Sequence, residues 1–481
     1  YNETLDITTD NLTLIGDGVV EINGTFSEDN AAFATSGESL AEWLKTTGGY
    51  TSGADPAVRI AADNVTLHNL TIKDSTWGVE LAEGADGAAL RHVDLVSNVY
   101  GIYKQADSDI SGLVLEDGSI SDGYVGINFD KAVSGGGASG VTIDGTHFEH
   151  LLRKGIYVET LSDALLTNIT MEDVGQFGAT TFNGPAGAGG NGINLNLKYG
   201  NYSNIQITHF TLNNVGASDR DGLDLVGHPN GGAIVIAARD DGSYAGDPAT
   251  LSNVTVANGQ ITGTTSTAIH VGEPGRDNAG PAVTVNNVTI TAITELSADH
   301  GAIANETQAT MLVTGTFGDD RMIASGDSDG AFGLFGQFGN DTLGGGSKND
   351  TLDGGLGIDT AVYSSSLTTG DVAFGGSNWT LDGGSEGLDT LISIERISHG
   401  GSGDILLVGG GGYANRAAAE AQKGVADVLL FASTPGAVFD TDGAGNTVDE
   451  QAATGTIVGI DAEASTDSAG GSITYSLADD A

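Results

Sequence analysis

Cysteine is missing from this chain altogether, and proline, aromatic residues and positive charge are all scarce. With none of its 481 residues a cysteine, no disulfide can staple it, and a β-rich extracellular chain needs another stabiliser, for which bound metal is the obvious candidate. Basic residues number 17 against 64 acidic ones, for a net charge of −47. Nucleic acid and anionic membrane surfaces are gripped through basic patches, so neither is a partner that this composition allows. So lopsided a charge calls for calcium to neutralise part of it, or for a salty medium to screen it. No apolar run approaches the ~18 residues of a membrane-spanning helix, and the residues from Tyr1 onward read as a strand rather than as a signal peptide. A disordered acidic chain is excluded by a hydrophobic content of 39%.

What is there is repetition. From about residue 5 to 310, short alternating runs recur, among them "VTLHNLTIKD" (65–74), "SGVTIDGTHFEH" (139–150) and "SNIQITHFTLNNVG" (203–216). Between them come pieces that open on Gly or Ala and an aliphatic residue: "GIYKQAD" (101–107), "GINFDKA" (126–132), "GIYVETL" (155–161) and "GINLNLK" (192–198). Each unit offers two or three strands of period two, apolar on one face and Asn, Asp, Thr or Ser on the other. One such coil cannot bury its apolar face alone, whereas stacked coils can. Asn and Gly stand between strands because both tolerate left-handed backbone. The reading is an all-β chain whose residues 1–310 form a right-handed parallel β-helix solenoid, with "SLAEWLKTT" (39–47) as its one helix. The longest excursions, at 175–192, 216–232, 239–250 and 272–282, follow strands of later coils and are the place for a site.

Past residue 310 the repeat shortens. "GQFGNDTLGGGSKNDTLDGGLGIDTAV" (336–362) sets Asp341, Asp350 and Asp359 nine residues apart, each among glycines and each followed by an apolar residue, Leu343, Leu352 or Ala361. Glycine-rich half-turns let backbone carbonyls converge with a carboxylate. Two nonapeptides make one coil of a narrow roll, which places Asp341 over Asp359. Stacked carboxylates repel unless a hard cation with oxygen ligands lies among them, and calcium is the ion that fits. The stretch resembles the RTX calcium-binding nonapeptide G-G-x-G-x-D-x-U-x through Gly336, Gly339, Asp341, Gly345, Asp350, Gly354, Gly357 and Asp359. An earlier copy, "GTFGDDRMI", adds Gly315, Gly318 and Asp320, and Lys348 departs from the pattern where a glycine belongs.

A β-helix followed by RTX repeats resembles two kinds of bacterial exoprotein, the RTX surface proteins and adhesins, and more distantly the alginate C5-epimerases and polysaccharide lyases. The resemblance implies calcium as the cofactor, export by a type I secretion system, and folding at the cell surface. The Asp-Pro-His of the epimerase motif occurs nowhere in the chain. The nearest ionisable cluster is "HFEHLLRKGIYVE", with His147, Glu149, His150, Arg153, Lys154, Tyr157 and Glu159. Lys154 and Tyr157 can serve as base and acid there; equally, the cluster can decorate a solvent-facing turn. A second cluster, Asp219, Arg220, Asp221, Asp224, His228, Arg239, Asp240, Asp241, Glu273 and Arg276, suits loop-fixing ion pairs, the binding of calcium or a sugar, or catalysis. His68, His92, His209 and His270 read as surface or packed side chains of strands.

The remaining chain divides into roll and capping strands (311–403), a strand-helix-strand segment (404–446) and a stretch resembling the start of a cadherin-like repeat (447–481). Its abrupt ends read as those of a piece of a longer polypeptide. With no recognisable catalytic constellation, the sequence favours a secreted, calcium-dependent structural or adhesive protein of a surface layer, filament or biofilm matrix. Its partners are then calcium, other surface proteins or further copies of itself, and extracellular polysaccharide. The alternative is a polysaccharide lyase or C5-epimerase acting on a uronate polymer.

Overall fold

The computed structural model describes residues 4–24, 56–175, 190–216, 232–240, 244–264, 267–272, 285–298, 303–305, 307, 309–324 and 330–432, with short pieces at 439–440 and 462–463. The helix expected at 39–47 and most of 447–481 lie outside the described residues.

The fold is a parallel β-helix, and its core explains itself column by column. One sheet has ten strands, running from Leu5–Ile7 through Pro56–Ile60 and Trp77–Leu81 to Ile303–Asn305. At one inward position it stacks Val58, Val79, Ile102, Ile127, Ile156, Ile193, Ile234, Ile269 and Ile303, all essentially sealed from solvent. Every member is β-branched, the side-chain shape that is stiff at χ1 and packs best on a pleated surface. A second sheet stacks Leu67, Leu90, Leu115, Ile143, Leu166, Ile207, Val256 and Ile290 in the same way. Stacking of like aliphatic neighbours packs each coil against the next, and those interfaces are where most of a solenoid's stability lies.

The corners are columns too. Asn69, His92, Asp117, Gly145, Asn168, His209 and Asn258 occupy one corner of successive coils, all at positive φ. A second corner is made by Asp74, Ser97, Asp122, His150, Asp173, Asn214 and Gly263, again all left-handed. Asn and Gly were the residues expected here, and Asp, His and Ser share the duty. Short polar side chains tolerate this backbone, and here they also tie one coil to the next: Asn168 Nδ2 donates to Asp144 Oδ1 at 2.7 Å, and Asn204 Nδ2 to Asp163 Oδ1 at 2.7 Å. His92 and His209 are therefore corner residues, which explains them without any ligand.

The second sheet continues past residue 310: Ile290 pairs with Val313, Val313 with Leu334, Leu334 with Leu352, and Leu352 with Leu391. Opposite it, Met322, Leu343, Ala361 and Ile397 form a column of their own. The nonapeptides thus alternate between two sheets, and Leu343, Leu352 and Ala361 all point inward with no exposure. The antiparallel hairpin Val372–Gly375 and Asn378–Asp382 then closes the end of one sheet, with Trp379 and Ile394 buried. Leu388 of the same capping segment, whose apolar residues Trp379, Leu388 and Ile394 read from the sequence as the cover of the roll's open end, is instead half exposed at 53% because its strand turns it outward. After it come Ile405–Val408, the helix Arg416–Gln422 capped by Asn415, and Val428–Phe431, the strand-helix-strand order expected.

Candidate functional site

Two groups of polar residues are built into this scaffold where a solenoid by itself needs none. The first is a ladder of carboxylates in the roll. Asp320 N–H donates to Asp341 Oδ1 at 2.8 Å, Asp341 N–H to Asp359 Oδ1 at 2.7 Å, and Asp359 N–H to Glu395 Oε2 at 2.7 Å. On the other edge, Phe332 N–H donates to Asp350 Oδ1 at 2.7 Å and Asp350 N–H to Asp389 Oδ1 at 2.8 Å. The nonapeptide period predicts the stacking of Asp341 over Asp359, and Asp320 extends the same rail. Glu395, Asp389 and Tyr363, whose hydroxyl donates to Asp389 Oδ2 at 2.7 Å, lie outside the motif, and only the fold brings them to the ladder.

Asp341, Asp350 and Asp359 each use one oxygen, whereas both oxygens of Asp389 accept hydrogen bonds and both of Asp320 accept from Thr316. The Oδ2 atoms of Asp341, Asp350 and Asp359 are buried without a hydrogen-bond partner. They press against the first-position glycines: a Cβ on Gly336 would collide with Asp341 Oδ2, one on Gly345 with Asp350 Oδ2, and one on Gly354 with Asp359 Oδ2 and the Ser393 carbonyl. Gly339 and Gly357 hold positive φ at the turns, so both glycine classes of the motif have a steric reason. Burial pushes the carboxyls up, Asp341 to about 6 and Asp350 to about 7, and lifts Asp359 and Asp320 as well. Orphaned carboxylate oxygens beside backbone carbonyls are the donor set that a hard cation takes. Among the described residues, no three His, Cys, Asp or Glu side chains converge on one point as a metal cage. Any ion here would therefore be held chiefly by one carboxylate edge and main-chain oxygens.

The second group lies on the outward face of the ten-stranded sheet. Alternation puts Arg59, Glu80, Tyr103, Asn128, Tyr157, Asn194, Val235 and His270 in one column, directly behind the β-branched core column. Trp77 stacks flat on Tyr103, centroids 4.1 Å apart. Tyr103 Oη donates to Asp130 Oδ2 at 2.6 Å, and Asn128 Nδ2 to Asp130 Oδ1 at 2.8 Å. Tyr157 Oη donates to Glu159 Oε1 at 2.7 Å and accepts from Asn196 Nδ2 at 2.8 Å. Glu159 is also paired with Lys198. Lys154, only 8% exposed, places Nζ 3.8 Å from the centroid of the Tyr157 ring. Burial holds the Lys154 ammonium well below its ordinary value and the Tyr157 phenol well above.

The 147–159 cluster is therefore split by the fold. His147 and Glu149 belong to a strand of the second sheet and His150 to a corner, all three solvent-accessible. Arg153 rests against Tyr124, its guanidinium donating to that hydroxyl at 3.2 Å. Lys154, Tyr157 and Glu159 stand apart on the first sheet, and Lys154 is buried, so the solvent-facing turn fails for it. Of the second cluster, Arg239 and Asp240 are described, with Arg239 lying 4.6 Å from the Tyr244 ring centroid. Asp219, Arg220, Asp221, Asp224, His228, Asp241, Glu273 and Arg276 lie outside the described residues.

No protein-family model matches the sequence, and no curated protein matches it. Among solved structures, the catalytic unit of a thermostable GH87 alpha-1,3-glucanase from Streptomyces thermodiastaticus strain HF3-3 is similar over 83% of this chain, at 13% identity and a TM-score of 0.27. The match covers 62% of that enzyme unit. A likeness this loose carries no argument about activity. No described helix is long and apolar enough to cross a membrane.

Proposed function

We propose that this chain is a calcium-stabilised scaffold of the bacterial cell surface or extracellular matrix, its β-helix serving as a rigid platform and its roll as the calcium-responsive segment. The observation that carries the reading is the ladder: a row of buried carboxylates, three of them (Asp341, Asp350 and Asp359) with one oxygen unpartnered, in a chain of charge −47. Buried like charges are costly unless a cation compensates them. Asp320, Asp341, Asp350 and Asp359 would hold the ion together with main-chain oxygens around the motif glycines. Secretion follows as part of the same reading, since weak oxygen sites fill at the millimolar calcium found outside cells.

The test is a calcium titration of the chelator-treated chain, followed by circular dichroism and light scattering. Gain of β-structure with calcium supports the reading, and self-association would extend it to a lattice or filament. Identical spectra with chelator and with calcium would overturn it. A second reading, a polysaccharide lyase or C5-epimerase, is favoured by one observation, the depressed Lys154 amine beside Tyr157. Unsaturated product from a uronate polymer, or exchange of its C5 proton with solvent, would establish that reading; neither would dismiss it.

A further inference from the structure

Around Lys154 the cations outnumber the carboxylates. Arg153, Lys154 and Lys198 meet at this part of the outward face, and one carboxylate, Glu159, answers them. Glu159 is already taken: its Oε1 accepts from the Tyr157 hydroxyl and pairs with Lys198, and its Oε2 accepts from the Lys131 N–H at 3.1 Å. Asp130, one coil earlier, is engaged by Tyr103 and Asn128. Among the described residues, the Lys154 ammonium makes no hydrogen bond and no ion pair, only the contact with the face of the Tyr157 ring. A buried ammonium left this way destabilises the chain that carries it.

The next strand holds the complementary orphan. Lys154 pairs in register with Asn191, and Tyr157 with Asn194. Asn194 Nδ2 donates to Asn191 Oδ1 at 2.7 Å, while Asn194 Oδ1 is buried without a partner. A cationic donor and an amide acceptor, both more than nine-tenths buried, thus stand unsatisfied on adjacent strands beside an aromatic ring. The Lys154 ammonium lies over the Tyr157 ring, and Tyr157 stands one strand spacing, about 4.8 Å, from its register partner Asn194, so the two orphans flank one ring on the scale of a single sugar.

We propose that Lys154, Tyr157 and Asn194 form a binding site for an acidic saccharide, its carboxylate pairing with Lys154 and a ring hydroxyl donating to Asn194 Oδ1. Tyr157, whose ring lies under the Lys154 ammonium, stands between the two groups and lines the site. The site shares Lys154, Tyr157 and an acidic sugar with the second reading above and rests on it for that ligand, but it requires binding alone, so binding without turnover would uphold the site while dismissing the enzyme. It places a cation without an ion-pair partner among the described residues where a strongly acidic chain would otherwise repel a polyanion.

The experiment measures binding of galacturonate, glucuronate, mannuronate and guluronate oligomers to the full chain in calcium by titration calorimetry, with maltotriose as neutral control, for wild type, Lys154→Met and Asn194→Leu. Binding of at least one uronate oligomer but not maltotriose is expected, weakened more than ~30-fold in Lys154→Met. Free monomeric uronate separates a hydroxy-acid site from a polymer site; weaker binding of the monomer than of its oligomer is expected, and equal binding overturns the assignment to a saccharide chain. Lys154→Met keeps the stem and removes the charge, so its unliganded melting temperature should equal or exceed that of wild type. A drop of several degrees, with binding intact, would make Lys154 a structural residue and overturn the proposal. So would binding of none of the four uronates, or equal binding of maltotriose.

Discussion

Replacing Asp389 by Asn should stabilise the metal-free chain at neutral pH and do nothing at acid pH. Asp389 is fully buried, with Oδ1 accepting from the Asp350 N–H and Oδ2 from the Tyr363 hydroxyl. Burial holds its carboxyl at about 6, against an ordinary 3.8. At about 1.4 kcal/mol per pH unit between those values, keeping Asp389 ionised in the folded, calcium-free chain costs about 3 kcal/mol. The sign follows from proton binding. Between about pH 4 and pH 6 the folded state keeps this proton and the unfolded state releases it, so stability falls as pH rises through that window. Asn is neutral and nearly the same shape; its Oδ1 keeps the Asp350 N–H, and its amide can donate to the Tyr363 oxygen. Urea unfolding in excess chelator should show Asp389→Asn more stable than wild type by about 2–3 kcal/mol near pH 7.5, and equal to it near pH 3.5. Added calcium should narrow or reverse the gap, because the cation compensates the charge that the variant lacks. An Asn variant as destabilised near pH 7.5 as near pH 3.5 would refute the reasoning, since the buried carboxylate would then be no burden.

Four further outcomes are expected. Chelation should raise amide exchange across 315–398 while strands such as Thr66–Lys73 and Ala89–Val96 stay protected; uniform protection would contradict a calcium-dependent roll. Gly126→Ala sets a Cβ 2.5 Å from the Gly155 carbonyl oxygen of the next coil and should cost about 1–3 kcal/mol by urea midpoint. Phe148→Ala, at a position with no exposure, should cost about 3–5 kcal/mol, read the same way. Asn204→Val forces a branched side chain onto φ 61 and should lower stability by about 1–2 kcal/mol, where Asn204→Gly should be nearly neutral.

Much of the candidate chemistry was legible in one alignment of the chain with itself. "GIY", "GIN", "GIY" and "GIN" at 101, 126, 155 and 192 share a glycine, an inward isoleucine and then an outward residue, namely Tyr103, Asn128, Tyr157 and Asn194. Stacking those pieces on their glycines puts the third position on one face, which is how the polar column could have been found. The glycine itself is required because its Cβ would strike the carbonyl of the next coil, from Gly78 through Gly192. Grouping residues by nearness in sequence instead joined His147, Glu149 and His150 to Lys154 and Tyr157, which the corner at His150 sends to different sheets.

The sequence by itself determined the solenoid, because a coil with one apolar face has no partner except another coil, and period-two alternation with polar corners fixes which residues face inward. It also determined the ladder's period, since residues eighteen apart must stack once two nonapeptides make a turn. Tertiary structure decided what no local pattern encodes. Coil lengths vary, so only the register brings Lys154 beside Asn191 and Tyr157 beside Asn194. Likewise Asp389 and Glu395 reach the ladder from 39 and 36 residues away, because the closing hairpin lengthens the last turn of the roll. Burial then turns ordinary carboxylates and one lysine into groups that need a partner, and burial is a property of the stacked coils rather than of any single repeat.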